Sequence, residues 1–211
     1  WNEDGTLNEE SVMEALKYME TLVKEELVAP EDKTSSGMDA YKRLTGGSAS
    51  FLTGPTSFVS RSTNEEECSV VGQITPILMP GKEAKSEVTM ALPEGLGVTK
   101  FSENKEAAKK FVEWYTSADM QKELNASNSA IPTRNSVLKS LVEDGTIKNA
   151  GAMMDEAERI VSPFPNGIPA YYAEMSSAMY NAINKMALGE MTAEEAFEDM
   201  NAKITELVEQ E

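Results

Sequence analysis

Apolar residues recur at spacings of three and four through most of the chain, the period of amphipathic helices. Near the C-terminus, Tyr172, Met175, Met179, Ile183 and Met186 line one helical face. That helix follows a loop stiffened by Pro163, Pro165 and Pro169, each of which fixes φ and removes a backbone donor. Gly189 fits the left-handed position that ends a helix. Thr192, with Glu195 three residues on, reads as a capping box opening a second helix, whose stripe is Ala196, Phe197, Met200, Ile204, Leu207 and Val208. At the other end Asn2, Asp4 and Gly5 punctuate a turn. Its acidic and amide side chains lack the ligand spacing of an EF-hand loop. Asn8 then caps a helix predicted to reach about Val28, with Val12, Leu16, Met19 and Val23 on its face. Glu9 and Glu10 suit its positive end.

Shorter elements fill the middle. Met38 to Thr45 reads as a helix closed by Gly46-Gly47, and Ser48 to Thr53 as a buried strand. Gly54-Pro55-Thr56 breaks that strand, and a helix through Phe58 and Val59 follows. Val70 to Thr75 reads as a strand leading into Pro76, and Pro80-Gly81-Lys82 as a turn. Glu94-Gly95-Leu96-Gly97-Val98 reads as a strand entry, with Leu96 to Thr99 the strand. It lacks the third glycine and βαβ context of a dinucleotide fingerprint. Asn104 opens a helix with Ala108, Phe111, Val112 and Tyr115 on one face, and a second short helix opens at Ser117 with Asp119 in its first turn. Trp114 and Tyr115 read as packing residues rather than ligand contacts. Helices are predicted from about Ser136 to Glu143 and from Lys148 to Ile160.

Charge and composition narrow the functions available. Nineteen Lys and Arg against thirty-six Asp and Glu give a net charge of −17. Such a surface repels nucleic acid and anionic membrane, so neither is expected as a partner. With no His and one Cys, the chain has no His-based triad, Cys–His dyad, His-containing metal site or intrachain disulfide. Cys68 follows Glu65-Glu66-Glu67, surroundings unlike those of a reactive cysteine, and reads as structural. No carboxylates form a recognisable acid–base pair, so no catalytic residue, metal ligand or cofactor is assigned, and an enzyme is not expected. No apolar run approaches the ~20 residues that span a bilayer. The chain starts at Trp1 with an acidic, polar segment rather than a signal peptide, which reads as a fragment or processed form.

The Pro-rich loop, Tyr172-Ala173-Glu174-Met175, the helix end Leu188-Gly189-Glu190 and the helix start Thr192-Ala193-Glu194-Glu195-Ala196 together resemble the C-terminal end of the extracellular solute-binding proteins of ABC importers. The similarity is to the family that includes the maltose-binding-type sugar receptors. The run from Tyr41-Lys42-Arg43 through Gly46-Gly47 to Phe51-Leu52-Thr53-Gly54-Pro55 resembles that family's helix, Gly turn, short strand and Gly-Pro. An aromatic often follows there; here Thr56 stands in its place, and Phe58 either substitutes for it or belongs to the core. The strand and Pro/Gly loop at 70–82 match more loosely. Asn104-Lys105-Glu106-Ala107-Ala108 with Thr116-Ser117 and Gln121, and the return Ala130-Ile131-Pro132-Thr133-Arg134, are the most specific matches.

The resemblance implies an α/β, periplasmic-binding-protein-like (type II) fold, with a helix-rich C-terminal lobe and a segment of the N-terminal lobe. Residues 1–92 and 139–211 would belong to the C-terminal lobe, and 93–138 would visit the N-terminal one, most of which would be absent. The implied function is non-catalytic: binding a small solute, a sugar or oligosaccharide, between the lobes and delivering it to ABC permease subunits. The implied contacts are Gly54, Thr56 and Phe58 from the Gly-Pro turn, and Tyr171, Tyr172 and Glu174 from the last cleft helix. One tyrosine is expected to anchor that helix instead, since adjacent helical residues point about 100° apart. An extracellular or periplasmic lipoprotein, anchored through an absent N-terminal region, follows from the same resemblance. A sensory or scaffold module reusing the fold is the alternative. The 211-residue chain alone is expected to bind sugar weakly. Residues 93–138 are expected to be covered by self-association, an exchanged segment or a refolded contact.

Overall fold

The computed structural model describes residues 1–82, 86–90, 95–148, 150–164 and 167–210. Pro93, Glu94 and Pro165, and with them the expected boundary at 92/93, lie outside these residues. In chain order the helices are α1 (Glu9–Lys24), α2 (Gly37–Thr45), α3 (Ser57–Arg61), α4 (Lys105–Tyr115), α5 (Ala118–Asn128), α6 (Asn135–Glu143), α7 (Gly151–Ala157), α8 (Tyr172–Ala187) and α9 (Ala193–Glu209), with a 3₁₀ turn at Pro30–Lys33. The chain divides into two compact units, one made of Trp1–Ser36 and Phe164–Glu211, the other of Gly37–Pro163.

In the first unit α1, α8 and α9 pack on one another. Leu16, Met175, Met186, Phe197, Met200, Ile204 and Leu207 fill its core, and Ala182, Ala193 and Ala196 have no exposed surface. The local signals read from the sequence are present. Asn8 accepts from the Ser11 amide, and Thr192 and Glu195 form the reciprocal capping box. Gly189, at φ 78°, ends α8, with the Glu190 and Gly189 amides donating to the Lys185 and Met186 carbonyls. A side chain of α1 completes the junction: Glu20 accepts from the Ala193 amide at 3.2 Å, one of the donors a helix start leaves without an internal partner.

Two features of α1 differ from expectation. The helix stops at Lys24, not near Val28, because Glu26 adopts a left-handed conformation (φ 56°) and the Leu27 amide turns back to the Leu22 carbonyl at 2.9 Å. This is the hydrogen-bond pattern of a glycine-closed helix with a glutamate in the glycine's place. The buried stripe also runs through Leu16 with Val12 and Met13, while Met19 is exposed.

The second unit has its core around α6 and α7, where Val137, Leu138, Leu141, Ile147, Ala150 and Met153 are buried. Ser117 caps α5 by accepting from the Met120 amide. Two buried amides of α5 then hold the return that follows it. Gln121 donates to the Thr133 hydroxyl and accepts from the Arg134 amide, and Asn125 donates to the Ala130 carbonyl. Arg134 ties the same return to the end of α4 by donating to the Thr116 carbonyl at 2.7 Å. Cys68 is buried, as a structural cysteine should be.

Three expected strands are not strands. Residues 48–53 form an unpaired loop with Phe51 89% exposed, residues 70–75 a turn with Gly72 at φ 81°, and residues 96–99 an unpaired stretch with Leu96 exposed. A strand exists only where a neighbouring strand takes its N–H and C=O groups, and the backbone bonds here are local turn bonds, such as those of the Ser48 and Ala49 amides to the Arg43 carbonyl. Extended pairing occurs instead at the parallel bridge Thr89–Ile160, where the Thr89 amide donates to Arg159 and the Val161 amide to Thr89. That bridge shortens the helix expected over 148–160 to α7. α4 buries none of its residues. Phe111 and Trp114 are exposed and pack, with Tyr115, on one another at centroid distances of 5.6, 5.7 and 6.3 Å.

Met200, 1% exposed at the centre of the first core, sets one expectation. Met200→Ala should lower stability by about 2–5 kcal/mol, read from the denaturant midpoint, through lost contacts and a residual cavity. Tyr41 sets another. It is buried, and its hydroxyl has no hydrogen-bond partner among the described residues. Burial, reinforced by Glu67 and Cys68, pushes its pKa up from 10.0 to about 12. The folded state therefore favours the neutral phenol. That contribution is complete below pH 10 and is lost as the pH climbs toward 12. Tyr41→Phe should match or exceed the parent's melting temperature at neutral pH, since it removes an unsatisfied polar atom, and should lose less stability over the alkaline window. A variant that loses more there than the parent would contradict this.

Candidate functional site

The six residues singled out from the sequence fall three to each unit. Gly54, Thr56 and Phe58 sit at the turn into α3. The Phe58 amide donates to the Pro55 carbonyl and the Val59 amide to Thr56, both at 3.0 Å, which winds the turn directly into the helix. Thr56 is the residue before α3, and its side chain makes no capping hydrogen bond. Phe58 lies half-buried, stacked on Tyr41 at 4.3 Å and 30°. Its other neighbour is Gly54: a Cβ there would stand 2.8 Å from Phe58 Cδ2 and 3.0 Å from Cε2. The glycine is thus required by a packed ring rather than by its own backbone angles. Phe58 thus packs on Tyr41 beside the turn, and Gly54 is exposed.

Tyr171, Tyr172 and Glu174 sit at the head of α8. The Tyr172 amide donates to the Pro169 carbonyl at 3.1 Å and the Met175 amide to Tyr171 at 3.0 Å, so the proline loop runs straight into the first turn. Tyr171 packs against the first core, and its hydroxyl lies 3.2 Å from where Gly5, at φ +86°, would carry a Cβ. Tyr171 is the anchoring tyrosine. Tyr172 is 41% exposed, and Glu174 in the same turn is exposed.

Two further aromatics join Tyr172, and the sequence reading missed both. Phe164 meets Tyr172 edge to face (5.7 Å, 87°) and lies 5.8 Å from Trp1 at 36°. Phe164 also packs against the core. The available signal was an aromatic between Pro163 and Pro165, in the loop already recognised as rigid. Trp1 gave no signal of its own, because its partners lie at the other end of the chain.

Elsewhere α1 and α9 border a groove lined by Glu9, Glu10, Lys17, Glu194 and Glu198 with Met13 and Phe197. Lys17 pairs with Glu194 at 3.1 Å, and its hydrogen bond holds that carboxyl below the usual glutamate range. Among the described residues no three His, Cys, Asp or Glu side chains gather as a metal site, and no helix is long and apolar enough to cross a membrane.

Residues 1–122 match the family of bacterial extracellular solute-binding proteins. The match takes in α1 to α4, the Gly54 turn and the Asn104–Ser117 motif, while the α8–α9 hairpin lies beyond it. Family membership carries a periplasmic-binding-protein-like fold, an extracellular or periplasmic setting, a small-molecule ligand and an ABC permease as partner, without catalysis. The chain belongs to the bacterial extracellular solute-binding proteins of ABC transporters.

Proposed function

We propose that the solute is a carbohydrate, a sugar or oligosaccharide, bound between two lobes of the type II arrangement and handed to the permease. The observation that carries this reading is Tyr172, a half-exposed ring at the head of a well-anchored helix with Glu174 in the same turn. A tyrosine suits a sugar because its ring face packs on C–H surface while its hydroxyl hydrogen-bonds, and a carboxylate accepts from sugar hydroxyls. The net charge of −17 favours a neutral solute over an anionic one.

In this proposal residues 1–92 and 139–211 form the C-terminal lobe and 93–138 visit the N-terminal lobe. Gly54 and Thr56 contact ligand at the Gly-Pro turn and Phe58 supports them from beneath. Tyr172 and Glu174 contact ligand at the head of α8, with Tyr171 fixing the helix. Ligand binding favours the closed arrangement of the lobes, and the permease reads closure rather than the ligand itself.

Calorimetry of the intact protein against a panel of neutral sugars tests the proposal. Tyr172→Ala is expected to weaken binding of the preferred sugar by about 1–3 kcal/mol, typical of a lost aromatic anchor. Its melting temperature should barely change, because the ring is half out of the core. Unchanged affinity with a lowered melting temperature would instead make Tyr172 a structural residue.

A further inference from the structure

Thr53 and Met79, 26 residues apart in sequence, meet through a hydrogen bond from the threonine hydroxyl to the thioether sulfur at 3.7 Å. We propose that Met79 is a reversible oxidation site, and that its sulfoxide fastens the loop ahead of the Gly54 turn by accepting a stronger bond from Thr53. The modification stands apart from the carbohydrate reading above.

The two partners are held unequally. The Met79 backbone is pinned, its carbonyl accepting from the Ser86 amide at 2.8 Å. Residues 48–53 form a loop anchored at its start, where the Ser48 and Ala49 amides donate to the Arg43 carbonyl. Further on, Phe51 and Thr53 are exposed. The Thr53 hydroxyl thus ties the loop to a fixed neighbour just before Gly54-Pro55 leads the chain into α3. A thioether is a weak acceptor, so that tie is a loose one.

Oxidation changes the acceptor and keeps the partner. Met79 is 47% exposed, which opens its sulfur to a small oxidant, whereas Met153, Met175, Met186 and Met200 are buried. A sulfur lone pair attacks one oxygen of hydrogen peroxide and the O–O bond breaks. The departing hydroxide takes the proton of the transferred oxygen and leaves as water. Sulfur loses two electrons and the peroxide gains them, giving a sulfoxide that methionine sulfoxide reductases return to the thioether. The new S–O dipole is a far better acceptor than sulfur, and it forms where a hydroxyl donor already stands.

The test treats the intact protein with hydrogen peroxide and follows peptide masses and amide exchange over residues 50–54. Met79 is expected to gain one oxygen while Met175, Met186 and Met200 stay reduced. Exchange over 50–54 should slow by roughly threefold to tenfold, the scale of one strengthened hydrogen bond. Methionine sulfoxide reductase should reverse both changes. Met79→Leu, treated in the same way, should show no slowing, which separates Met79 from the exposed Met19, Met38 and Met90. Thr53→Val should be oxidised at Met79 as the parent is, yet exchange at the same rate before and after treatment. Melting curves confirm that both variants fold. A Met79 that stays reduced while Met90 is oxidised overturns the site. Slowing that is absent from the parent, or as large in Thr53→Val, overturns the tie.

Discussion

Burial of Met200 and Ile204 is the contact on which the α8–α9 hairpin and its surroundings depend. Both are essentially inaccessible, and α9 presents them together with Ala196, Phe197 and Leu207 toward α1 and α8. The fully covered alanines 182, 193 and 196 leave no room between the helices for anything larger; overfilling such a seam is as harmful as emptying it. The seam places Met175 and Met186, these fix α8, and α8 carries Tyr172 at its first residue. The orientation of one exposed ring is thus settled by side chains several turns away.

Most interactions that close within a few residues were legible in the sequence, though Asn104 opens α4 without the side-chain cap expected of it. Asn8, Ser117 and Thr192 each cap the helix they were expected to cap, since a cap needs only the next two or three amides. Interactions that close across the chain were not. The expected strands at 48–53, 70–75 and 96–99 needed partners that periodicity cannot supply, and the pairing that did form joins Thr89 to Ile160. The early stop of α1 escaped because glutamate, not glycine, occupies the left-handed position at residue 26. Which neighbouring tyrosine anchors α8 was left open; in the fold Tyr171 packs against the core while Tyr172 is exposed. Trp1 and Phe164 were invisible as a pair for the same reason, being far apart in sequence and joined only in the fold.

The second unit uses a different adhesive around α5. Gln121 and Asn125 are buried polar residues whose amides replace, for the return at 130–134, the pairing a sheet would provide. A buried amide is costly unless its partners are in place. These bonds therefore specify one path for the return and penalise the rest, more sharply than apolar packing would. Arg134 extends the arrangement to the end of α4, so the aromatic face of α4 is held in position without being buried.

The Gly54–Phe58 contact bears on how this protein can change over generations. At residue 54 any side chain would meet the Phe58 ring at under 3 Å, and that ring is already stacked on Tyr41. Two residues on, Thr56 carries no capping hydrogen bond. The turn therefore couples a locked position to a free one. A lineage can exchange the side chain at 56, and with it what the turn touches, while the frame at 54 and 58 stays as it is. Substitutions at 56 can thus alter the surface of the turn without touching the packed glycine that frames it.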